Sequence, residues 1–151
     1  MLVDAVFHYR TLIGKCELGC GLDWDEIDQV SRIEHAFAAE RGDGRRFRRQ
    51  AVELAGTMRG EQINDPIDII ELSPGGLVCR RAPFVARGEL VEIVIDDGDK
   101  SYRFAARGVW LRDDGDDYEI GFQLVGMPVC LNKARISAHK FDVVDKIASA
   151  A

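Results

Sequence analysis

The chain has no long apolar run, few cysteines, three histidines and no low-complexity stretch. Each shortage removes a class of protein. No apolar segment approaches the ~18 residues a membrane-spanning helix needs, so no membrane span is expected. The opening residues MLVDAVFHYRTLIGK carry Asp4 early and lack a basic leader followed by a small-residue cleavage site. They read as part of the fold, and the expected location is the cytoplasm. Cys16, Cys20, Cys79 and Cys130 are too few and too unevenly spaced for a disulfide framework. Cys16 and Cys20 would share a helix face, but no His or Cys pair completes a zinc tetrad. The expected role of the cysteines is that of buried small hydrophobes. His8, His35 and His139 stand apart from any nucleophile or acid partner in sequence, which argues against a catalytic triad. Asp113-Asp114-Gly115-Asp116-Asp117 has the composition of a calcium loop without its closing glutamate, and reads as a solvated turn. Neither an enzyme nor a metal or cofactor site is expected. A net charge of -6 disfavours binding to a nucleic-acid polymer.

Against that acidic background, five arginines fall within nine residues, Arg41, Arg45, Arg46, Arg48 and Arg49 (RGDGRRFRR). Placing a quarter of the 20 Lys and Arg residues in one segment points to an anionic partner. The segment uses arginine and no lysine. The planar guanidinium fork suits phosphate and the Hoogsteen edge of guanine, so the choice indicates shaped recognition rather than diffuse attraction. A second unusual string follows, Glu71-Leu72-Ser73-Pro74-Gly75-Gly76.

At 151 residues the chain is one domain with a helical appendage. Residues 1–40 read as two helices. Leu2, Ala5, Val6, Tyr9, Leu12, Ile13 and Cys16 recur on one helix face, and Gly19 and Gly21 interrupt the pattern. Asp23 then reads as an N-cap with Glu26 three residues on, and Ile27, Val30, Ile33 and Phe37 continue an apolar stripe. These stripes must be buried against the following domain or against a second copy of the chain. After Gly42-Asp43-Gly44 the period becomes two: Val52, Leu54, Gly56 and Met58; Ile67, Ile69 and Leu72; Leu77 to Cys79; Val91, Ile93 and Ile95; Tyr102, Phe104 and Ala106 with Val109 to Leu111; and Tyr118, Ile120, Phe122 and Leu124. Asp97-Gly98 is a hairpin signal. Six short strands without intervening helices predict a small antiparallel barrel or sandwich. The helical period returns over 131–148, with Ala134, Ala138, Phe141, Val144 and Ile147 expected to be buried. Trp110 reads as a core aromatic.

The two motifs resemble those of the PilZ domain family. Arg45 and Arg49 fit its RxxxR signature, and Ser73 and Gly76 fit its (D/N)xSxxG signature. The resemblance spans about 44–128 and includes Gly88-Glu89-Leu90-Val91, Val109-Trp110 and Ile120-Gly121-Phe122 in the family's order. It implies a mainly β (α+β) chain: an N-terminal helical extension (1–43), a six-stranded antiparallel β-barrel (44–128), and a C-terminal helix and tail (129–151). It also implies a receptor for the second messenger cyclic di-GMP, with Arg45, Arg46, Arg49, Glu71, Ser73 and Gly76 as ligand-binding residues. A protein partner or a homodimer is expected through the N-terminal helices. Where the family has Asp or Asn, this chain has Glu71, one methylene longer. Gly44 replaces an arginine associated with a stacked, dimeric ligand and implies one ligand per domain, although Arg46 and Arg48 lie close enough to substitute. Besides an RNA- or DNA-binding barrel using the arginine cluster, which the overall charge disfavours, two further readings stay open. In the first, a degenerate member of the fold binds no nucleotide and acts as an adaptor. In the second, the arginines are a solvated linker paired with the acidic residues of 23–28, and Ser73 to Gly76 is a plain turn.

Overall fold

The computed structural model describes residues 2–39 and 46–132. Two helices, α1 (Leu2–Glu17) and α2 (Trp24–Ala36), precede six strands: β1 (Gln50–Arg59), β2 (Asn64–Ser73), β3 (Gly76–Ala82), β4 (Leu90–Asp97), β5 (Lys100–Asp114) and β6 (Asp117–Asn132). The strands form a closed antiparallel barrel in the order β1-β2-β3-β6-β5-β4, with β1 paired to β4 through Gly56↔Ile95 to Arg59↔Glu92. The alternation read from sequence is the inward face of this barrel. Met58, Ile67, Ile69, Leu72, Leu77, Ile93, Ile95, Phe104, Ala106, Ile120, Phe122 and Leu124 are buried in one core. Gly98 and Gly115, at φ 60 and 84, make the β4–β5 and β5–β6 turns that L-residues adopt poorly.

The last two strands are longer than expected. β5 runs 15 residues and β6 runs 16. Leu131 and Asn132, expected to open a C-terminal helix, pair instead with Ser101 and Lys100. The boundary expected at 129 therefore falls inside β6, and residues 133–151 of the expected helix lie outside the described residues. β6 shifts register between Val125 and Val129, where Gly126 takes φ 65. A bulge of this kind erases the two-residue period locally.

The two helices are buried unequally. α1 packs on β6 and joins the core through Val3 and Val6, while Tyr9, Leu12 and Arg10 are also buried. Gly14 permits the approach: a Cβ there would lie 3.0 Å from Cβ of Met127. α2 has no buried residue, although its Asp23–Glu26 capping box forms in both directions. Polar contacts hold it to α1: Lys15 Nζ to Glu26 Oε2 at 2.6 Å, Tyr9 Oη to Glu34 Oε1 at 3.0 Å, and His8 with Gln29. The stripe of Ile27, Val30 and Ile33, expected to be covered, is exposed at Ile27 and half-buried at Val30 and Ile33. Only Phe37, at the helix's C-cap, is buried.

The cysteines divide as well. Cys16 and Cys20, expected to be buried, are both exposed. They do not share a helix face, because α1 ends at Glu17 and Gly19 turns the chain with φ 78. Cys130 is half-buried and Cys79 fully buried. Burial pushes the Cys79 thiol up to about 12. The unfolded chain releases this proton at lower pH than the fold does, so its stabilising effect is complete below about pH 8.5 and is lost as pH rises further. We expect stability to fall by about 1.4 kcal/mol per pH unit above pH 9. Urea midpoints at pH 7, 9 and 10 check this, and a flat profile contradicts it.

Candidate ligand-binding site

Strand pairing brings the two motifs together. β1 begins immediately after Arg49 and pairs antiparallel with the end of β2, Gln50 opposite Leu72 and Ala51 opposite Glu71. Arg49 lies two residues before Ala51, on the same side of the chain, so its side chain reaches Glu71 diagonally across the strand pair. Arg49 Nη1 lies 3.6 Å from Glu71 Oε2, with the arginine side chain 25% exposed. This is an ion pair beyond hydrogen-bond length, so the two groups neutralise each other loosely.

Ser73 to Gly76 forms the β2–β3 turn. The Ser73 hydroxyl accepts from the Gly76 N–H and donates to the Gly76 carbonyl, each at 3.2 Å, and the residue is buried. The Leu124 N–H donates to the Gly75 carbonyl at 3.0 Å, fixing the turn to β6. A Cβ on Gly76 would lie 2.4 Å from the Phe122 carbonyl oxygen. Close packing against β6 thus requires this glycine, independently of any ligand.

The arginine segment is fastened at its base. Arg48 N–H donates to the Phe37 carbonyl at 2.7 Å, and Ala38 bridges Phe47. Phe47, in the middle of the arginine run, packs on two sides. Its ring meets Tyr9 edge-on at 5.4 Å between centroids. It also lies against Gly75, where an added Cβ would be 3.3 Å from the ring. Arg46 lies over the same ring at 5.2 Å and donates to Glu34 Oε1 at 2.7 Å. That oxygen also accepts from the Tyr9 hydroxyl. Burial first, then the hydrogen bond to Glu34 and its charge, push the Tyr9 phenol up to about 12, against the opposing charges of Arg46 and Arg10.

Of the six residues expected to bind ligand, Arg49, Glu71, Ser73 and Gly76 lie together at the mouth of the β2–β3 turn. Phe47 links them to Arg46, which is turned toward α2. Arg45 and Gly44 lie outside the described residues. Among the described residues the expected pairing of the arginines with the acidic residues of 23–28 is not seen: Asp28 pairs with Arg32, Glu26 with Lys15, and Arg46 with Glu34. Sequence reading missed Tyr9, Glu34 and Phe47. A phenylalanine inside an arginine run was the available signal for Phe47. In the sequence Tyr9 is only one of seven apolar positions on α1.

Trp110, read as a core aromatic, is half-buried and outside the core cluster. Its indole lies across Gly121, where a Cβ would overlap the ring. A groove of about 600 Å³ runs beside Leu54, Asp68, Ile70, Arg80 and Arg81, and none of the six expected residues lines it. Its arginines are already paired, Arg81 with Asp68 and Arg80 with the buried Glu119, both at 3.2 Å. It is therefore a poor anion site. Among the described residues, no cluster of three His, Cys, Asp or Glu side chains could hold a metal ion, and no helix is long and apolar enough to cross a membrane.

The family model described as PilZ domain matches residues 43–141. No curated protein matches the chain.

Proposed function

The chain belongs to the PilZ domain family, and from that premise we propose that it is a non-enzymatic receptor for cyclic di-GMP that signals to a protein partner. The observation that carries this reading is the juxtaposition of Arg49 with Glu71 at the mouth of the Ser73–Gly76 turn. A cyclic dinucleotide presents two phosphates and two guanines in a compact ring. Arg45 and Arg49 supply guanidinium forks for phosphate and for guanine O6 and N7. Arg46 adds a third fork when it leaves Glu34. Glu71 accepts from guanine N1 and N2, and Ser73 and Gly76 form the floor on which the ring rests. Ligand draws the arginine segment onto the barrel, and because that segment is tied to Phe37 and Tyr9, its movement changes how the helices sit. The size of such a shift is capped by the ligand's differential affinity for the two arrangements.

Titration calorimetry with cyclic di-GMP tests the reading. Saturable heat is expected, with a gain of about 2.7 kcal/mol in stability at a hundredfold excess over Kd. No heat and no thermal shift at saturating ligand would reject it.

A second reading is favoured by the same pair. Glu71 already engages Arg49, and the Ser73 hydroxyl is closed on Gly76, as a fold that has given up nucleotide and serves as an adaptor would allow. Glu71→Asp separates the two. The shorter acid withdraws from Arg49 and restores the family's geometry toward guanine, so a receptor should bind roughly three- to tenfold more tightly. Unchanged or weaker binding in the same calorimeter counts against Glu71 as the guanine acceptor.

A further inference from the structure

Glu34 is the only carboxylate given to Arg46 among the described residues, and it comes from α2, the element with no buried residue. One oxygen, Oε1, receives both the Arg46 guanidinium and the Tyr9 hydroxyl, at 2.7 and 3.0 Å. Two convergent donors, one cationic and one phenolic, around a single anionic oxygen make an anion seat of the kind that also accepts a non-bridging phosphate oxygen. The Tyr9 wall of the seat is fixed, while Arg46 is 69% exposed. Tyr9 is buried on α1, its ring is held edge-on by Phe47, and Phe47 lies against Gly75 of the turn. The occupant is the loosely held part. Glu34 is 35% exposed, and beyond it α2 is held to α1 by Lys15–Glu26 and His8–Gln29, contacts of a surface type that stabilise little.

We propose that Glu34 fills an anion seat formed by Tyr9 and Arg46, that a phosphate oxygen of the ligand competes with it for that seat, and that its displacement frees α2. This rests on the cyclic di-GMP reading and adds to it a new ligand contact, Tyr9, and an internal competitor that sets affinity. The same exchange supplies the output. When Glu34 leaves, α2 loses its contact with α1 one turn before the C-cap, where Phe37 stays buried and bonded to Arg48, and the half-buried Val30 and Ile33 lie on a helix less tightly held. Coupling is reciprocal: the factor by which neutralising Glu34 tightens ligand binding is the factor by which ligand loosens α2.

The experiment compares wild type, Glu34→Gln and Glu34→Gln/Arg46→Ala by calorimetry with cyclic di-GMP, with hydrogen exchange of residues 24–36 measured in parallel. Glutamine keeps the shape and removes the charge, and Glu34 lies at the surface, so the fold should be retained; a thermal melt verifies it. Glu34→Gln is expected to bind about two- to fivefold more tightly, and Arg46→Ala in that background to cancel the gain. Exchange in α2 should rise in Glu34→Gln and, to the same degree, in wild type saturated with ligand. If wild type binds and Glu34→Gln binds equally or more weakly, the seat is wrong while the receptor reading stands. If neither protein binds, the receptor reading fails and the seat fails with it.

Discussion

Replacing Arg49 with alanine is expected to weaken cyclic di-GMP binding by about ten- to 150-fold, the equivalent of one charge-assisted hydrogen bond at roughly 1.5–3 kcal/mol. The magnitude follows from where Arg49 stands. It is the last residue before β1, so its backbone is anchored by the pairing of Gln50 with Leu72 and of Ala51 with Glu71 on β2. A side chain projecting from so rigid a base loses little freedom when it closes on a ligand. Arg46, by contrast, must leave Glu34 before it can contribute. Stability should hardly change, because the Arg49–Glu71 pair is partly exposed and its 3.6 Å separation is beyond a hydrogen bond. Calorimetry and a thermal melt on the same preparations separate the two effects. Equal heats for wild type and Arg49→Ala would remove Arg49 from the site, whatever the melt showed.

Gly76→Ala has its largest expected effect on the fold itself. The new methyl would lie 2.4 Å from the Phe122 carbonyl oxygen, and that oxygen belongs to backbone in register with β3, Leu77 opposite Phe122. Neither strand can yield without losing its partner, and the turn is pinned on both sides, by the Ser73 hydroxyl and by Leu124 N–H on Gly75. A cost of about 3 kcal/mol is expected, a fall in Tm of roughly 6–12 °C. The neighbouring Gly75→Ala is the control. Its methyl would meet the Phe47 ring at 3.3 Å, and a side chain can move by the few tenths of an ångström needed, so a cost below about 1 kcal/mol is expected. Urea denaturation of both variants decides. Similar stabilities would show that β3 and β6 are not held as closely as described. Loss of ligand binding in Gly76→Ala would in that light report a displaced turn, not a lost contact.

The sequence disclosed what depends on neighbours and little of what depends on distance. Val91, Ile93 and Ile95 alternate because β4 has one face in the core, and Asp23 with Glu26 three residues on can satisfy each other's backbone wherever the helix sits. Six strands, their tight turns and the helical hairpin could all be read this way. The closure of β1 on β4 could not, because it joins residues more than thirty apart that carry no mark of each other. Nor could the division of labour between the helices. The apolar stripe of α2 looks as buriable as that of α1, yet only α1 reaches the barrel. At the site, the motif residues were legible because their type and spacing are unusual. Tyr9 and Glu34 were not, since a tyrosine on an apolar helix face and a glutamate on a polar one are what any surface helix carries. Only the fold shows them meeting at Arg46.

Closure of the barrel also limits how another protein can engage this one. With β1 hydrogen-bonded to β4 at one seam and β5 to β6 along most of their length, the described barrel closes on itself and leaves free strand edge for a partner to extend chiefly at the strand ends. Recognition over the rest of the wall has to go through side chains. The side chains best placed for it are those the barrel leaves uncovered, foremost Trp24, 86% exposed at the start of α2. A messenger that moves α2, as proposed, would then move Trp24 with it.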